Sequence, residues 1–269
     1  SIRTQNSSKI KSYNLNHKII LARNVKIELM FALTHIYCAR KINPKADSLF
    51  LYGSVFPDIP VLGIVDWDLM KEKTLEFSNF IIGKNILTGF AKGLTVHEDP
   101  YGIDRFVHGN EGYAFVKGEE LHKELKAYFP KEIIPIAAHS FIEFAVEMRM
   151  AEKFPELAKE IVKVRSEGNK YLNQIAGIFS SFFNLDSEKS LKTIKEFNKI
   201  LVYDVSTKQK SVDFYVGLLK KLRSSDIPRI EVQKLTELSL SVTSDYFSFL
   251  EETIAKCKRD FEGKYEILY

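Results

Sequence analysis

The chain has little cysteine, no long uncharged apolar run and no block of like charge. Its 269 residues include only two cysteines, Cys38 and Cys257, which do not form a CxxC motif; this argues against a disulfide framework and against a thiolate zinc knuckle. No stretch reaches the ~18 uncharged residues that cross a bilayer, so we expect a soluble protein without a transmembrane segment. The 39 basic and 35 acidic residues are mixed along the chain, which argues against specific nucleic-acid recognition.

The remaining composition is that of an ordinary globular protein, with 45% hydrophobic and 28% charged residues. This length suits either one large helical domain or a core with an appendage. The chain opens at Ser1, so its location stays open between cytoplasmic and secreted after processing. The oligomeric state is also left open.

Apolar residues recur at three- and four-residue steps and alternating patterns are rare, which predicts an all-α fold. We interpret residues 1–23 as an N-terminal arm, 24–154 as a metal-binding helical core, and 155–269 as a helical extension packed on that core. After a first helix that ends at Asn43-Pro44, helices are expected over 66–82, 85–97, 100–116, 119–129, 132–153, 156–167, 169–183, 187–203, 208–224 and 228–262. Side chains expected to cap helix starts are those of Asp47, Asp66, Asp99 and Asp186.

Two histidine and acid pairs have the four-residue spacing that places both members on one face of a helix. They are His139 with Glu143, and Asp104 with His108. One metal ion could take both members of such a pair. The alternative for His139 and Glu143 is a hydrogen-bonded pair in a polar seam.

Three further candidate ligands are His35, Asp58 and His97. His35 lies on an apolar helix face, where a core histidine is the alternative. Asp58 follows Pro57 in a corner, where aspartate is common for turn reasons alone. Their occurrence with the two pairs within about 110 residues predicts a shared metal site, because zinc binds such mixed nitrogen and oxygen ligands. The predicted ligands are His35, Asp58, His97, Asp104, His108, His139 and Glu143.

These segments resemble the zinc-dependent phospholipase C family, whose helical fold is shared with fungal single-strand nucleases. The matching segments are Thr34-His35, Leu51-Tyr-Gly-Ser-Val-Phe-Pro-Asp58, Gly93-Leu-Thr-Val-His97, Asp104-Arg-Phe-Val-His108-Gly109 and His139-Ser-Phe-Ile-Glu143, which follow the family's order over about half the chain. The resemblance implies a phospholipase C-like core in which up to three zinc ions activate water against a phosphodiester.

Carried over to this sequence, the resemblance implies a paired site with Asp104 as the bridging carboxylate. The other ligands of that pair would be His35, Asp58 and His97, and Asp58 would also be a candidate catalytic base. The remaining ion would be held by His108, His139 and Glu143.

The chain departs from the family pattern at three places. The bridging aspartate usually follows its histidine by four residues, whereas Asp104 follows His97 by seven. Residues 59–96 lack a histidine that the family expects, and Asp66 or Asp68 could take its place. The family's N-terminal tryptophan has no counterpart here. We therefore expect one to three zinc ions, or another divalent metal.

The function expected from these ligands is hydrolysis of a phosphoester by a metal-activated water, with a small phosphoester or a phospholipid head group as substrate. One alternative is an HD-type phosphohydrolase, although its adjacent His-Asp dyad is matched here only by His97-Glu98. The other is a non-catalytic helical binding or scaffold protein with a degenerate metal site. Arg105 could hold a phosphate or be an ordinary exposed arginine, and Tyr52, Trp67 and Tyr101 could line a pocket or pack in the core.

Overall fold

The structure is a computed structural model that describes residues 32–97, 102–107, 112–202, 207–223 and 227–262. These residues form helices, turns and loops without a β-strand, so the all-α prediction is confirmed. No helix within these ranges is long and apolar enough to span a bilayer. The N-terminal arm 1–23, the cap predicted at Asp99, Tyr101 and the candidate ligand His108 lie outside the described residues.

The helices follow one another with short connections. In chain order they are α1 (Ala32–Ile42), α2 (Ser48–Val55), a 3-10 helix (Phe56–Leu62), α3 (Trp67–Gly83), α4 (Thr88–Thr95), α5 (Asp104–Val107), α6 (Tyr113–Gly118), a second 3-10 helix (Glu119–Leu121), α7 (His122–Leu125), α8 (Ile134–Lys153), α9 (Leu157–Lys170), α10 (Leu172–Phe183), α11 (Ser187–Ile200), α12 (Lys208–Arg223), α13 (Arg229–Val242) and α14 (Tyr246–Glu262).

Three of the predicted caps begin helices as expected. Asp47 accepts a hydrogen bond from the amide of Phe50 at 2.7 Å, which starts α2. Asp66 and Asp186 accept in the same way at the starts of α3 and α11. These side chains satisfy backbone donors that have no partner within a helix.

Two long predicted helices are broken in the structure. The segment 228–262 is divided between α13 and α14, and the turn between them is bonded to other helices: Arg149 donates to Thr243, and Tyr113 donates to Asp245. The segment 100–116 is interrupted at Gly112, whose backbone is extended (φ −70°, ψ 155°). Tertiary hydrogen bonds and a glycine of low helix propensity explain these breaks.

The hydrophobic core runs through both halves of the chain. Helices α9 and α14 from the C-terminal half pack on α1, and α9 also packs on α2. Phe56, which directly precedes the Pro57-Asp58 corner, makes edge contacts with Phe179 and Phe197, at ring-centroid distances of 5.4 and 5.9 Å. The region around Asp58 is therefore packed partly against helices of residues 155–269.

Candidate metal centre

Four buried side chains converge at one point of the fold. His35, Asp58, His97 and Asp104 are only 2, 4, 0 and 3% exposed. Each offers one candidate ligand atom, and these atoms all lie within 4.8 Å of one another. We call these four residues the quartet. It brings together four of the seven ligands predicted from the sequence.

The quartet is assembled from four separate segments. His35 lies in α1, Asp58 in the first 3-10 helix, His97 just after α4, and Asp104 at the start of α5. The amide of Asp104 donates to the carbonyl oxygen of His97 at 3.2 Å. This bond brings the two residues together despite their seven-residue separation.

A close crossing of α2 and α4 aligns two of these segments. A β-carbon added at Gly53 would lie 2.1 Å from the carbonyl oxygen of Phe90, and one added at Gly93 would lie 2.0 Å from that of Phe50. Such contacts are too short for any side chain, so both positions require glycine. This close approach of the two helix backbones sets the end of α4, with His97, beside the Asp58 corner.

Each carboxylate of the quartet faces both imidazoles. The Nε2 atom of His97 lies 3.4 Å from Oδ1 of Asp58 and 3.2 Å from Oδ2 of Asp104. The Nε2 atom of His35 lies 3.3 Å from Oδ1 of Asp104 and 4.0 Å from Oδ2 of Asp58. Two ligands of one tetrahedral zinc ion, each bonded at ~2.0–2.1 Å, are separated by about 3.3 Å. Three of the four measured distances are close to that value.

The tautomer of His97 follows from its other ring nitrogen. Its Nδ1 atom lies 2.7 Å from the carbonyl oxygen of Ser54. A carbonyl oxygen only accepts hydrogen bonds, so Nδ1 carries a proton and donates it. In neutral His97, the Nε2 lone pair therefore points toward the two carboxylates. Histidines that bind metals characteristically donate their second ring nitrogen to a backbone carbonyl in this way.

The electrostatics of the quartet suit a divalent cation. Two buried carboxylates carry two negative charges when ionised, and buried charge is costly unless it is paired. Protonating both histidines would balance that charge but would put two cations in rings whose centroids are 3.9 Å apart. A dication among neutral imidazoles and ionised carboxylates would balance the charge without this repulsion, so the donor set fits zinc or a similar ion.

The second predicted pair, His139 and Glu143, is also buried. Nε2 of His139 lies 3.3 Å from Oε1 of Glu143, as expected for residues one helical turn apart in α8. The ring of Phe115 stacks on His139 at a centroid distance of 4.5 Å. His108, the third ligand predicted for this site, lies outside the described residues, so the three-ligand site stays a prediction.

Other residues singled out in the sequence have structural contacts. Arg105 forms an ion pair with Asp260 of α14. Tyr52 is buried and donates a 2.7 Å hydrogen bond to Asn198, and Trp67 is also buried, so core packing describes both. The two proposed substitutes for the missing histidine, Asp66 and Asp68, are exposed at the start of α3 and do not belong to the quartet.

Two groups that hold quartet residues or their neighbours in place were not identified from the sequence: the backbone carbonyl of Ser54 and the side chain of Glu147. The carbonyl of Ser54 orients His97, but it is a backbone atom and the sequence carries no sign of it. Glu147 is buried in α8 and binds the segment that precedes His35. The sequence did carry a sign of Glu147. It lies four positions after Glu143 on the same helix face, and an acidic residue buried there needs a partner because burying an unpaired carboxylate is costly.

Comparisons of the chain with protein-family models, with curated proteins and with solved structures give no match.

Proposed function

We propose that the protein is a divalent-cation-dependent hydrolase of phosphoesters, with phosphodiesters as the preferred class. The observation that carries this proposal is the convergence of the quartet, with Nε2 of His97 directed at two carboxylates while Nδ1 is bonded to Ser54. The resemblance of the segments around these residues to the zinc-dependent phospholipase C family supports the reaction class.

In this proposal, His35 and His97 supply neutral nitrogen ligands, and Asp58 and Asp104 supply oxygen ligands. Asp104 presents one oxygen to each histidine, so it suits the bridging position between two ions. Zinc is the leading metal because of the mixed donor set. The chemistry that a bound dication supplies is polarisation of the phosphoryl group and acidification of water.

The number of ions affects the substrate class. The two carboxylates neutralise the charge of one dication. Two dications would leave a net double positive charge at the site, which would attract an anionic phosphoester. Phosphoester hydrolysis therefore favours loading with two ions. Oδ2 of Asp58 is the carboxylate oxygen farthest from its facing imidazole, at 4.0 Å, and we propose it as the base that takes the proton of the attacking water.

A second candidate function is favoured by the burial of the quartet. None of its four residues is more than 4% exposed, as in closed structural metal sites that keep no position for substrate. In this alternative the ion holds together the four chain segments that carry the quartet, and the protein is a non-catalytic binding or scaffold protein.

The test is a comparison of metal binding with turnover. Protein stripped with chelator is reloaded with zinc or manganese and assayed for binding stoichiometry and for hydrolysis of chromogenic phosphodiesters and phosphomonoesters. We expect turnover that is abolished by chelator and by Asp104→Asn, but retained in the exposed control variant Asp68→Asn. Metal binding without turnover on any of these substrates would favour the structural alternative, and absence of binding would contradict both.

A further inference from the structure

Glu147 is a buried acidic residue that the hydrolytic proposal does not use. The residue is 3% exposed. Oε2 accepts a hydrogen bond from the amide of Leu33 at 3.0 Å, and Oε1 accepts from the amide of Thr34 at 3.1 Å and from its hydroxyl at 3.0 Å. Both oxygens of this one carboxylate, in α8, thus bind two consecutive residues of α1.

The residue that follows Thr34 is His35, a member of the quartet. A bidentate attachment through two backbone amides fixes the rotation and the axial position of the helix at that point. The direction of the His35 imidazole depends on both, because a helix rotates by about 100° per residue. We propose that Glu147 is a positioning residue for His35, which sets the placement of Nε2 against Asp58 and Asp104; this inference rests on the proposed metal site.

The chemistry of Glu147 fits positioning better than general packing. Burying a carboxylate is costly, and an apolar residue of similar volume would often pack with equal or greater stability. A carboxylate offers directional acceptors that an apolar residue lacks, and hydrogen bonds to an ionised acceptor are stronger than neutral ones. The attachment extends to α14, because the hydroxyl of Tyr246 lies 3.4 Å from that of Thr34.

The same face of α8 that carries Glu147 also carries the candidate ligands His139 and Glu143. His139, Glu143 and Glu147 follow one another at four-residue steps, so the helix presents them on one side. The helix that would contribute to a second metal site therefore also anchors α1. This arrangement couples the location of the His139 and Glu143 pair to that of His35.

The test uses Glu147→Gln, which keeps the side-chain size but replaces one acceptor oxygen by an amide donor facing a backbone N–H. Metal-free protein is titrated with cobalt(II) at a temperature where circular dichroism shows each variant folded. The cobalt affinity, the visible absorption spectrum of the cobalt complex and the midpoint of thermal unfolding of the metal-free protein are recorded for each variant. Glu152→Gln, an exposed change in the same helix, is the matched control.

We expect Glu147→Gln to weaken cobalt binding by roughly 10- to 100-fold, the usual effect of losing a group that orients a ligand, and to alter the absorption spectrum. Thr34→Ser should retain the wild-type affinity and Thr34→Val should weaken it, which provides a test even if Glu147→Gln does not fold. A lower thermal midpoint with unchanged affinity and spectrum in Glu147→Gln and Thr34→Val would overturn the positioning role. Failure of the wild type to bind cobalt would instead overturn the metal site and this inference with it.

Discussion

The imidazole rings of His35 and His97 are stacked, with centroids 3.9 Å apart and planes inclined by 20°. Two stacked imidazolium ions would repel each other in this buried location, where charges are weakly screened. The double negative charge of ionised Asp58 and Asp104 is therefore poorly balanced by protonation of both histidines. This relationship is the physical basis for expecting a divalent cation between the rings and the carboxylates.

Metal binding should stabilise the native protein, because the ion binds the quartet only when the four segments are assembled. At a free zinc concentration a hundred times Kd, the free energy of unfolding should rise by about 2.7 kcal/mol. Asp104→Asn removes one charge and should lose most of this increase. Thermal unfolding with zinc and with chelator measures the stabilisation by zinc. An equal rise in the free energy of unfolding in the wild type and in Asp104→Asn would rule out Asp104 as a ligand.

Replacement of His97 should weaken zinc binding by at least ~100-fold, more than the 10- to 100-fold typical of residues that only orient ligands. The variant His97→Gln removes the imidazole that lies near both carboxylates. Isothermal titration calorimetry of metal-free protein measures the affinity. The control is His122→Gln, which lies in the short helix α7 and outside the quartet. Equal zinc affinities of His97→Gln and His122→Gln would contradict the assignment of His97 as a ligand.

The crossing of α2 and α4 should tolerate no side chain at Gly53. Gly53→Ala places a methyl group 2.1 Å from a backbone oxygen, so the helices must separate, at a cost of about 3 kcal/mol, the upper end of the usual range for overpacking. Urea unfolding measures the change. Gly177→Ala, in a helix where the added carbon would meet nothing within 4 Å, should instead stabilise by ~0.5–1 kcal/mol. Similar effects at the two positions would argue against the close crossing.

A fragment of residues 1–154 should not fold by itself. It would lose Phe179 and Phe197, which pack on Phe56, and the acceptor Asn198 of the buried Tyr52 hydroxyl. These losses are large against the 5–15 kcal/mol stability of a typical domain. Circular dichroism during a urea titration is the measurement. A cooperative transition in the fragment would show that the core of residues 24–154 is independent of the C-terminal helices.

Much of the fold was predictable because its signals are local. The periodicity of apolar residues predicts helices, and Asp47, Asp66 and Asp186 cap them as their positions in the sequence indicate. The break between α13 and α14 was not predictable, because Thr243 and Asp245 are bonded to residues more than 90 positions away. Helix ends that are set by such tertiary contacts leave no local signal.

For the candidate site, the sequence identified the side chains but not the backbone contacts that position them. The residue types and order identified His35, Asp58, His97 and Asp104, which the structure places together. The sequence could not show that the amide of Asp104 bonds to the carbonyl of His97, which brings these two residues together across seven positions. It also gave no sign of the Ser54 carbonyl, because contacts made by backbone atoms do not depend on the side chain at that position.

Anomalous scattering from crystals of the full chain is the most direct test of whether the quartet holds a divalent cation. Crystals grown with zinc, without an affinity tag, are measured above and below the zinc absorption edge. We expect an anomalous peak within about 2.3 Å of Nε2 of His97 and of a carboxylate oxygen of Asp104, since zinc bonds to these atoms measure ~2.0–2.2 Å. Absence of a peak near the quartet at saturating zinc would contradict a metal site there.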